Sequence, residues 1–437
     1  MSGDVGSLGV FEIARAVKRD SLVLMSASLA LRNGALGAAA DALWARRADI
    51  AAANERDLAD GERNALPLPI MKRLLFDEKK LSDTLQGVRD LIALPDSIGR
   101  VRLERELDSD LLLRQVTCPI GVIGVIFESR PDALVQIASL CLKSGNCAIL
   151  KGGSEARETN RILYEIIHGA GAAAGLPDNF LRLLESRAET SEMLGCHESI
   201  DLIIPRGSNA FVRYIMDHSD IPVMGHSDGI CHIYADKAAD VEKAVRIIRD
   251  SKVQYAAACN AVETVLVHED IARELLPALQ KELAAKGVQI RGDGRVIDIL
   301  ADAEPAIAPA TEEDFATEYL DYIVSIKVVR DEEEAIAHIN HYGSHHTDAI
   351  VTEDEAAAAR FMSGVDSAGV YRNCSTRFAD GFRYGLGAEV GISTGKLHAR
   401  GPVGLDGLTT YKYLLSGNGN IVEDYAEGRR SFHFRDL

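Results

Sequence analysis

The apolar positions of this chain change rhythm twice. Over residues 8–93 they follow a helical period, with Leu36, Leu43 and Ile50 recurring at heptad-like spacing in an Ala-rich stretch. Trp44, on the same amphipathic pattern, is expected in the core. Two alternating runs follow, 101–107 and 111–116, flanking Asp108-Ser109-Asp110, and they predict a β-hairpin. Its charged residues suggest an arm that leaves the core to reach a partner subunit.

From Pro119 the pattern alternates between short apolar runs and longer amphipathic ones. Residues 121–127 read as a strand buried on both faces, and 132–143 as a helix stopped by Gly145-Asn146. A strand at 147–150, a helix at 155–173 and strands at 202–204 and 232–234 follow. The rhythm resumes after residue 260, with strands at 262–267, 322–329 and 349–351 and helices at 269–286, 331–340 and 353–362. Strands alternating with helices predict parallel sheets joined by right-handed crossovers, an α/β protein. Residues 409–437 read as a strand and a polar tail.

Composition narrows the function. Of 437 residues, 47% are hydrophobic and 26% charged, which supplies a core for two or three domains. The formal net charge of −18 argues against nucleic acid and anionic membranes as partners. An anionic substrate would need local arginines, backbone amides or helix N-termini. No run approaches the ~18 apolar residues of a membrane span, and the start, Met1-Ser2-Gly3-Asp4-Val5-Gly6, lacks the pattern of a secretion signal. Seven cysteines without a Cys-x-x-Cys pair fit free thiols in a reducing cytoplasm.

Cys259, between a helix-like and a strand-like segment, is the candidate nucleophile, because a thiolate forms thioesters readily. Cys141, Cys147, Cys196 and Cys231 sit in apolar contexts and read as small buried hydrophobes. Lys151-Gly152-Gly153-Ser154 follows a strand. Its glycines admit a ligand to the backbone, Lys151 can reach a phosphate or ribose, and Ser154 can cap the next helix. Arg206-Gly207-Ser208 repeats that layout. Each turn alone reads equally as an ordinary strand–helix connection. His226 and His232 match no common zinc spacing, so no metal is expected there. Asn373-Cys374-Ser375-Thr376-Arg377 offers hydroxyls and a guanidinium suited to a carboxylate or phosphate, and Glu318 is a candidate ribose-binding carboxylate.

Together, residues 121–131, 151–156, 204–208, 225–232, 259–264, 373–378 and 391–404 resemble the aldehyde dehydrogenase superfamily, in its acyl-phosphate-reducing branch, over nearly the whole chain. That resemblance implies two lobes, each on a largely parallel sheet: 1–255 holding the cofactor with the hairpin arm 101–118, 256–375 carrying the nucleophile, 376–405 returning to the first lobe, and 406–437 forming an oligomerisation strand and tail. It implies NADPH-dependent reduction of gamma-glutamyl 5-phosphate to glutamate 5-semialdehyde through a Cys259 thioester, the second step of proline synthesis from glutamate. Another acyl-phosphate or acyl-CoA reductase of the superfamily is the alternative.

By the same resemblance, Lys151 contacts the adenosine ribose region, Gly153 and Ser154 flank it, Gly207 and Ser208 face the phosphates, and Glu318 holds the nicotinamide ribose. The oxyanion donors are the Cys259 amide with Asn260 or Ser129. Arg377, with Ser375 and Thr376, is expected to hold the substrate α-carboxylate, with Arg206 or His226 near the departing phosphate. Oxidising relatives carry a water-activating glutamate where this chain has His226-Ser227-Asp228-Gly229, so the thioester is expected to escape hydrolysis. The implied partners are a homo-oligomer, dimer or tetramer, and glutamate 5-kinase for channelling.

Overall fold

The structure is a computed structural model, and it describes residues 9–226 and 228–437. The start read as lacking a secretion signal, and Ser227 of the histidine loop, lie outside the described residues. Among those described, no helix is long and apolar enough to cross a membrane.

Five helices open the chain: α1 (Val10–Leu24), α2 (Leu29–Ala45), α3 (Arg47–Arg63), α4 (Leu68–Leu74) and α5 (Glu78–Ala93). Leu36, Leu43 and Ile50 are buried, as an apolar stripe requires. Trp44 is not: it is 37% exposed, with the Arg47 guanidinium over its ring at 5.0 Å. The cation lets the indole face water at little cost.

β1 (Val101–Asp108) and β2 (Leu111–Pro119) pair antiparallel, and the strand Thr409–Ser416 pairs antiparallel with β2. That last strand exposes Tyr411, Tyr413, Leu414 and Leu415. β3 (Val122–Phe127), β4 (Cys147–Lys151), β5 (Leu181–Leu184) and β6 (Leu202–Arg206) form a parallel sheet in the order β5-β4-β3-β6. Every residue of β3 and β4 is buried, which is why their runs are continuous rather than alternating. α6 (Pro131–Lys143), α7 (Arg157–Ala173), α8 (Arg187–Leu194) and α9 (Asn209–His218) connect the strands.

A second sheet has seven parallel strands: β7 (Cys231–Ala235), β8 (Val262–His268), β9 (Gln289–Gly292), β10 (Ala308–Pro309), β11 (Ile323–Val329), β12 (Thr347–Val351) and β13 (Gly369–Arg372), in the order β10-β9-β11-β8-β7-β12-β13. α10 (Val241–Val253) and α11 (Glu269–Ala284) contribute Ile248, Leu275, Leu276 and Leu279 to the core against it.

The chain divides into two compact units. Unit 1 runs through Met224 and takes in Gly387–Gly391 and Val403–Leu437; unit 2 is Gly225–Leu386 with Ile392–Pro402. The expected division lay at 255/256. The difference has a physical cause: β7 hydrogen-bonds between β8 and β12, so it and α10 belong to the second sheet. Alternation of strand and helix does not say which sheet a strand joins.

Candidate active site

In unit 1 the chain leaves β3 toward β4 and β5, then returns to β6 on the other side. That reversal opens a crevice at the carboxyl ends of β3 and β6, where open parallel sheets bind ligands. Glu128, Arg206, Gly207 and Ser208 sit there, and Lys151 ends the neighbouring strand. The Glu128 amide donates to the Arg206 carbonyl at 3.1 Å, and the Ser208 amide donates to the Glu128 carboxylate at 3.1 Å. A Cβ on Gly207 would lie 2.6 Å from the Glu128 carboxylate and 2.8 Å from Phe211, so a side chain there would have to displace one of them. Glu128's role in holding the turn escapes a sequence reading, because the contact spans 80 residues. Lys151 is buried, and its Nζ donates to the Gly152 carbonyl at 2.6 Å.

Two expectations for this unit change. Ser154 does not cap α7. It lies exposed in a 3₁₀ turn (Ser154–Ala156) that follows Gly153 and precedes that helix. Buried Asp57 of α3 caps instead, accepting the Glu158 amide (3.1 Å), the Thr159 amide (2.8 Å) and the Thr159 hydroxyl (2.6 Å). These amides of α7 are therefore satisfied by the protein's own carboxylate. Ser129 sits at φ +46° with its amide and its hydroxyl both donating to Glu155 at 2.6 Å. Its hydroxyl proton is already engaged and does not point to an oxyanion.

Unit 2 gathers its chemistry at the opposite, amino ends of its strands. His226 precedes β7, Cys259 precedes β8, Glu318 precedes β11, and His346 immediately precedes β12. Gly229 joins two of these. A Cβ there would meet the Cys259 carbonyl oxygen at 2.1 Å and Glu318 Oε1 at 2.6 Å, so the glycine is wedged between the nucleophile's backbone and the carboxylate. The Cys231 thiol donates to the Cys259 carbonyl at 3.3 Å from below the loop. Cys259 is half-buried, whereas Cys141, Cys147, Cys196 and Cys231 are buried. Burial pushes the Cys141 thiol up to about 12 and Cys231 well above its ordinary value, which leaves both inert.

Below the loop lies a buried ion pair. Lys252 Nζ meets Glu263 Oε2 at 2.6 Å with both side chains wholly excluded from water. Glu263 Oε1 also accepts the amide of Leu320, a residue at φ +53° two positions after Glu318. Burial pushes Glu263 up and Lys252 down, against their mutual attraction. A carboxylate inside the apolar run 262–267 is the signal that could have revealed this pair.

The loop after β13 departs from expectation at two residues. Ser375 is buried, its hydroxyl 3.0 Å from that of Ser251, and Thr376 donates its hydroxyl to the Asn260 carbonyl at 2.7 Å. Ser375 thus ties this loop to α10, and Thr376 braces the Asn260 backbone. Asn260 is buried and donates one amide N–H to the Ala379 carbonyl at 2.8 Å. Arg377 donates from Nε to Gln254 at 2.9 Å and lies over Tyr255 at 5.9 Å. Burial, then the Arg383 cation, holds its guanidinium below its ordinary value.

The two histidines of the 226–232 loop part company. His232 is buried, its ring 3.1 Å from Asp348. His226 instead meets His346 edge-on with ring centres 5.0 Å apart. One donor atom from each of His226, Cys259 and His346 lies within 4.8 Å of the others. His346 lies 120 positions from His226 in the chain, and no spacing rule reaches it.

Comparison with known proteins gives the family. The profile of the Aldehyde dehydrogenase family matches residues 14–296. A gamma-glutamyl phosphate reductase of Pelotomaculum thermopropionicum is 59% identical over 426 residues, covering 98% of this chain and 97% of its own. One from Ruminiclostridium cellulolyticum is 58% identical over 412 residues, 94% of each chain. The crystal structure of gamma-glutamyl phosphate reductase from Thermotoga maritima superposes with a TM-score of 0.92 at 38% identity, covering 95% of this chain and 100% of that one. This chain belongs to the aldehyde dehydrogenase family and, within it, to the gamma-glutamyl phosphate reductases.

Proposed function

We propose that this chain reduces gamma-glutamyl 5-phosphate to glutamate 5-semialdehyde and phosphate, the second step from glutamate to proline, through a thioester on Cys259. The observation that carries the reading is the packing at Gly229, where the backbone of a half-buried thiol and the Glu318 carboxylate converge on one glycine, an added Cβ lying 2.1 Å from the Cys259 carbonyl oxygen and 2.6 Å from Glu318 Oε1. In the mechanism, the Cys259 thiolate attacks the acyl carbon, and the C–O bond to phosphate breaks as the C–S bond persists. Family members use nicotinamide cofactors, and NADPH is the form assigned here; when bound it supplies hydride to the thioester carbon. The Cys259 amide and the second Asn260 N–H steady the oxygen as negative charge develops, and loss of one such donor costs about 2.7–4 kcal/mol in the barrier. The thiolate then leaves as the aldehyde forms.

Within unit 1, Gly207 and Lys151 with Gly153 and Ser154 stand at strands' carboxyl ends, the place for a nucleotide in an open parallel sheet, and within unit 2 Glu318 is assigned the ribose hydroxyls. Arg377 is assigned the substrate α-carboxylate, and Arg206 or His226 the departing phosphate. Where oxidising relatives carry a catalytic glutamate, the equivalent loop here brings His226, which favours a thioester that waits for hydride. Unit 1 is read as the cofactor-holding part and unit 2 as the catalytic part. The hairpin and the exposed final strand are assigned to a homo-oligomer, dimer or tetramer. A thiol nucleophile suits the reducing cytoplasm, and glutamate 5-kinase is the natural source of an acyl phosphate too labile to diffuse far.

The test runs the reaction backwards. Glutamate 5-semialdehyde with NADP⁺ should give NADPH only when inorganic phosphate is present. Turnover that needs coenzyme A instead of phosphate would move the chain to the acyl-CoA reductases.

A further inference from the structure

We propose that Cys259, His226 and His346 form a binding site for a divalent cation of the zinc class, and that filling it takes the nucleophile out of use. The second clause rests on Cys259 being the acyl carrier; the first does not.

The donor set is one thiolate and two imidazoles, the soft and borderline ligands that zinc selects over calcium or magnesium. Their donor atoms lie within 4.8 Å of one another. Tetrahedral zinc, with bonds of ~2.0–2.3 Å, needs donors roughly 3.5 Å apart, so side-chain rotations that draw each pair in by up to about 1.3 Å close the site. Three protein ligands leave a fourth position for water, the pattern of an open rather than a structural zinc site.

The imidazoles are prepared for ligation in a way that catalysis does not require. His226 Nδ1 is 2.9 Å from the Ile392 carbonyl, an acceptor only, so this nitrogen carries the proton and Nε2 keeps a lone pair. A carbonyl behind the outer nitrogen is the support that metal-bound histidines ordinarily have. His346 Nδ1 lies 2.9 Å from the Thr347 hydroxyl. Its Nε2 is buried with no hydrogen-bond partner, an uncompensated polar atom that a cation would satisfy. Cys259 and His226 are both half-buried, which gives a cation access.

The step is a ligand exchange. The Sγ–H bond of Cys259 breaks, its proton goes to solvent, and the sulfur lone pair forms the bond to the cation. No electron is transferred. Zinc bound there blocks attack on an acyl carbon and shields the thiol from alkylation and oxidation.

The experiment uses the full chain, reduced and metal-free, titrated with Co²⁺ and then Zn²⁺. The expected result is one Co²⁺ per chain with a thiolate-to-cobalt charge-transfer band, bleached by Zn²⁺, and alkylation of Cys259 by iodoacetamide slowed at least tenfold by Zn²⁺. His346→Gln should weaken Co²⁺ binding at least tenfold. Absence of the band, or equal affinity in folded His346→Gln, overturns the site. Should His346→Gln fail to fold, Cys259→Ser and Cys374→Ser decide: loss of the band in the first with retention in the second supports the site, and any other pattern overturns it. None of these readouts needs turnover, so a chain that binds the cation yet fails the phosphate-dependent assay contradicts only the functional reading.

Discussion

Units 1 and 2 each contain a parallel sheet covered by helices, yet they present their candidate chemistry at opposite ends of its strands. Unit 1 uses carboxyl ends, where Gly207 and Lys151 follow β6 and end β4. Unit 2 uses amino ends, where Cys259, Glu318 and His346 stand just ahead of β8, β11 and β12. At a carboxyl end a strand passes within a few residues into a helix, and its glycines make the turn visible. At an amino end the approach is a loop, and its shape depends on what it packs against. The Cys259 loop is held by Gly229, Cys231, Thr376 and, through Leu320 beside Glu318, by the buried Lys252–Glu263 pair. Unit 1's turns are held mostly by their own backbone and by Glu128 and Glu155.

If unit 2 depends on such distant bracing, substitutions there should show it. The largest effect is expected at the ion pair. Lys252→Met leaves a buried carboxylate alone and should destabilise the chain by about 3–5 kcal/mol in urea unfolding, while Lys252→Met with Glu263→Leu should recover most of that loss. A single variant as stable as the parent would remove the pair from the account.

Gly229→Ala comes next. The added methyl must displace the Cys259 backbone or Glu318, and a shift of that kind should lower kcat about 100-fold, about 2.7 kcal/mol. Circular dichroism should be unchanged. An active variant would show that the wedge does not set the nucleophile's position.

Arg377→Ala should raise the KM for the acyl phosphate or the semialdehyde at least tenfold, about 1.4 kcal/mol, with kcat changed less. An unchanged KM would assign the α-carboxylate elsewhere. The contrasting probe lies in unit 1: Asp57→Ala removes the cap of α7 and should cost roughly 1–2 kcal/mol of stability. Turnover at saturating cofactor should stay near that of the parent, because Asp57 itself is assigned neither substrate nor cofactor. A large kcat effect there would blur the contrast between the units.

The same contrast explains how much the sequence discloses. The alternation of strands and helices, the hairpin pairing, the stop of α6 at Gly145 and the position of Cys259 between α10 and β8 are local features, written in neighbouring residues. Braces are not local. Asp57 reaches Thr159 across 102 residues, Thr376 reaches Asn260 across 116, and Ser129 spends its hydroxyl on Glu155. Each changes a role that residue type alone suggests: Ser154 loses its cap, Ser375 and Thr376 turn inward, and Ser129 ceases to be a free donor. The membership of β7 in the second sheet was hidden for a related reason, since hydrogen bonding to β8 and β12 leaves no mark on its own five residues.

The covalent step is tested most directly by mass spectrometry of the chain mixed with freshly made gamma-glutamyl phosphate without NADPH. A glutamyl thioester should appear on the Cys259 peptide, vanish when NADPH is added, and be absent in Cys259→Ser. Full turnover with no adduct on Cys259, or turnover by Cys259→Ser within about tenfold of the parent, would contradict the account.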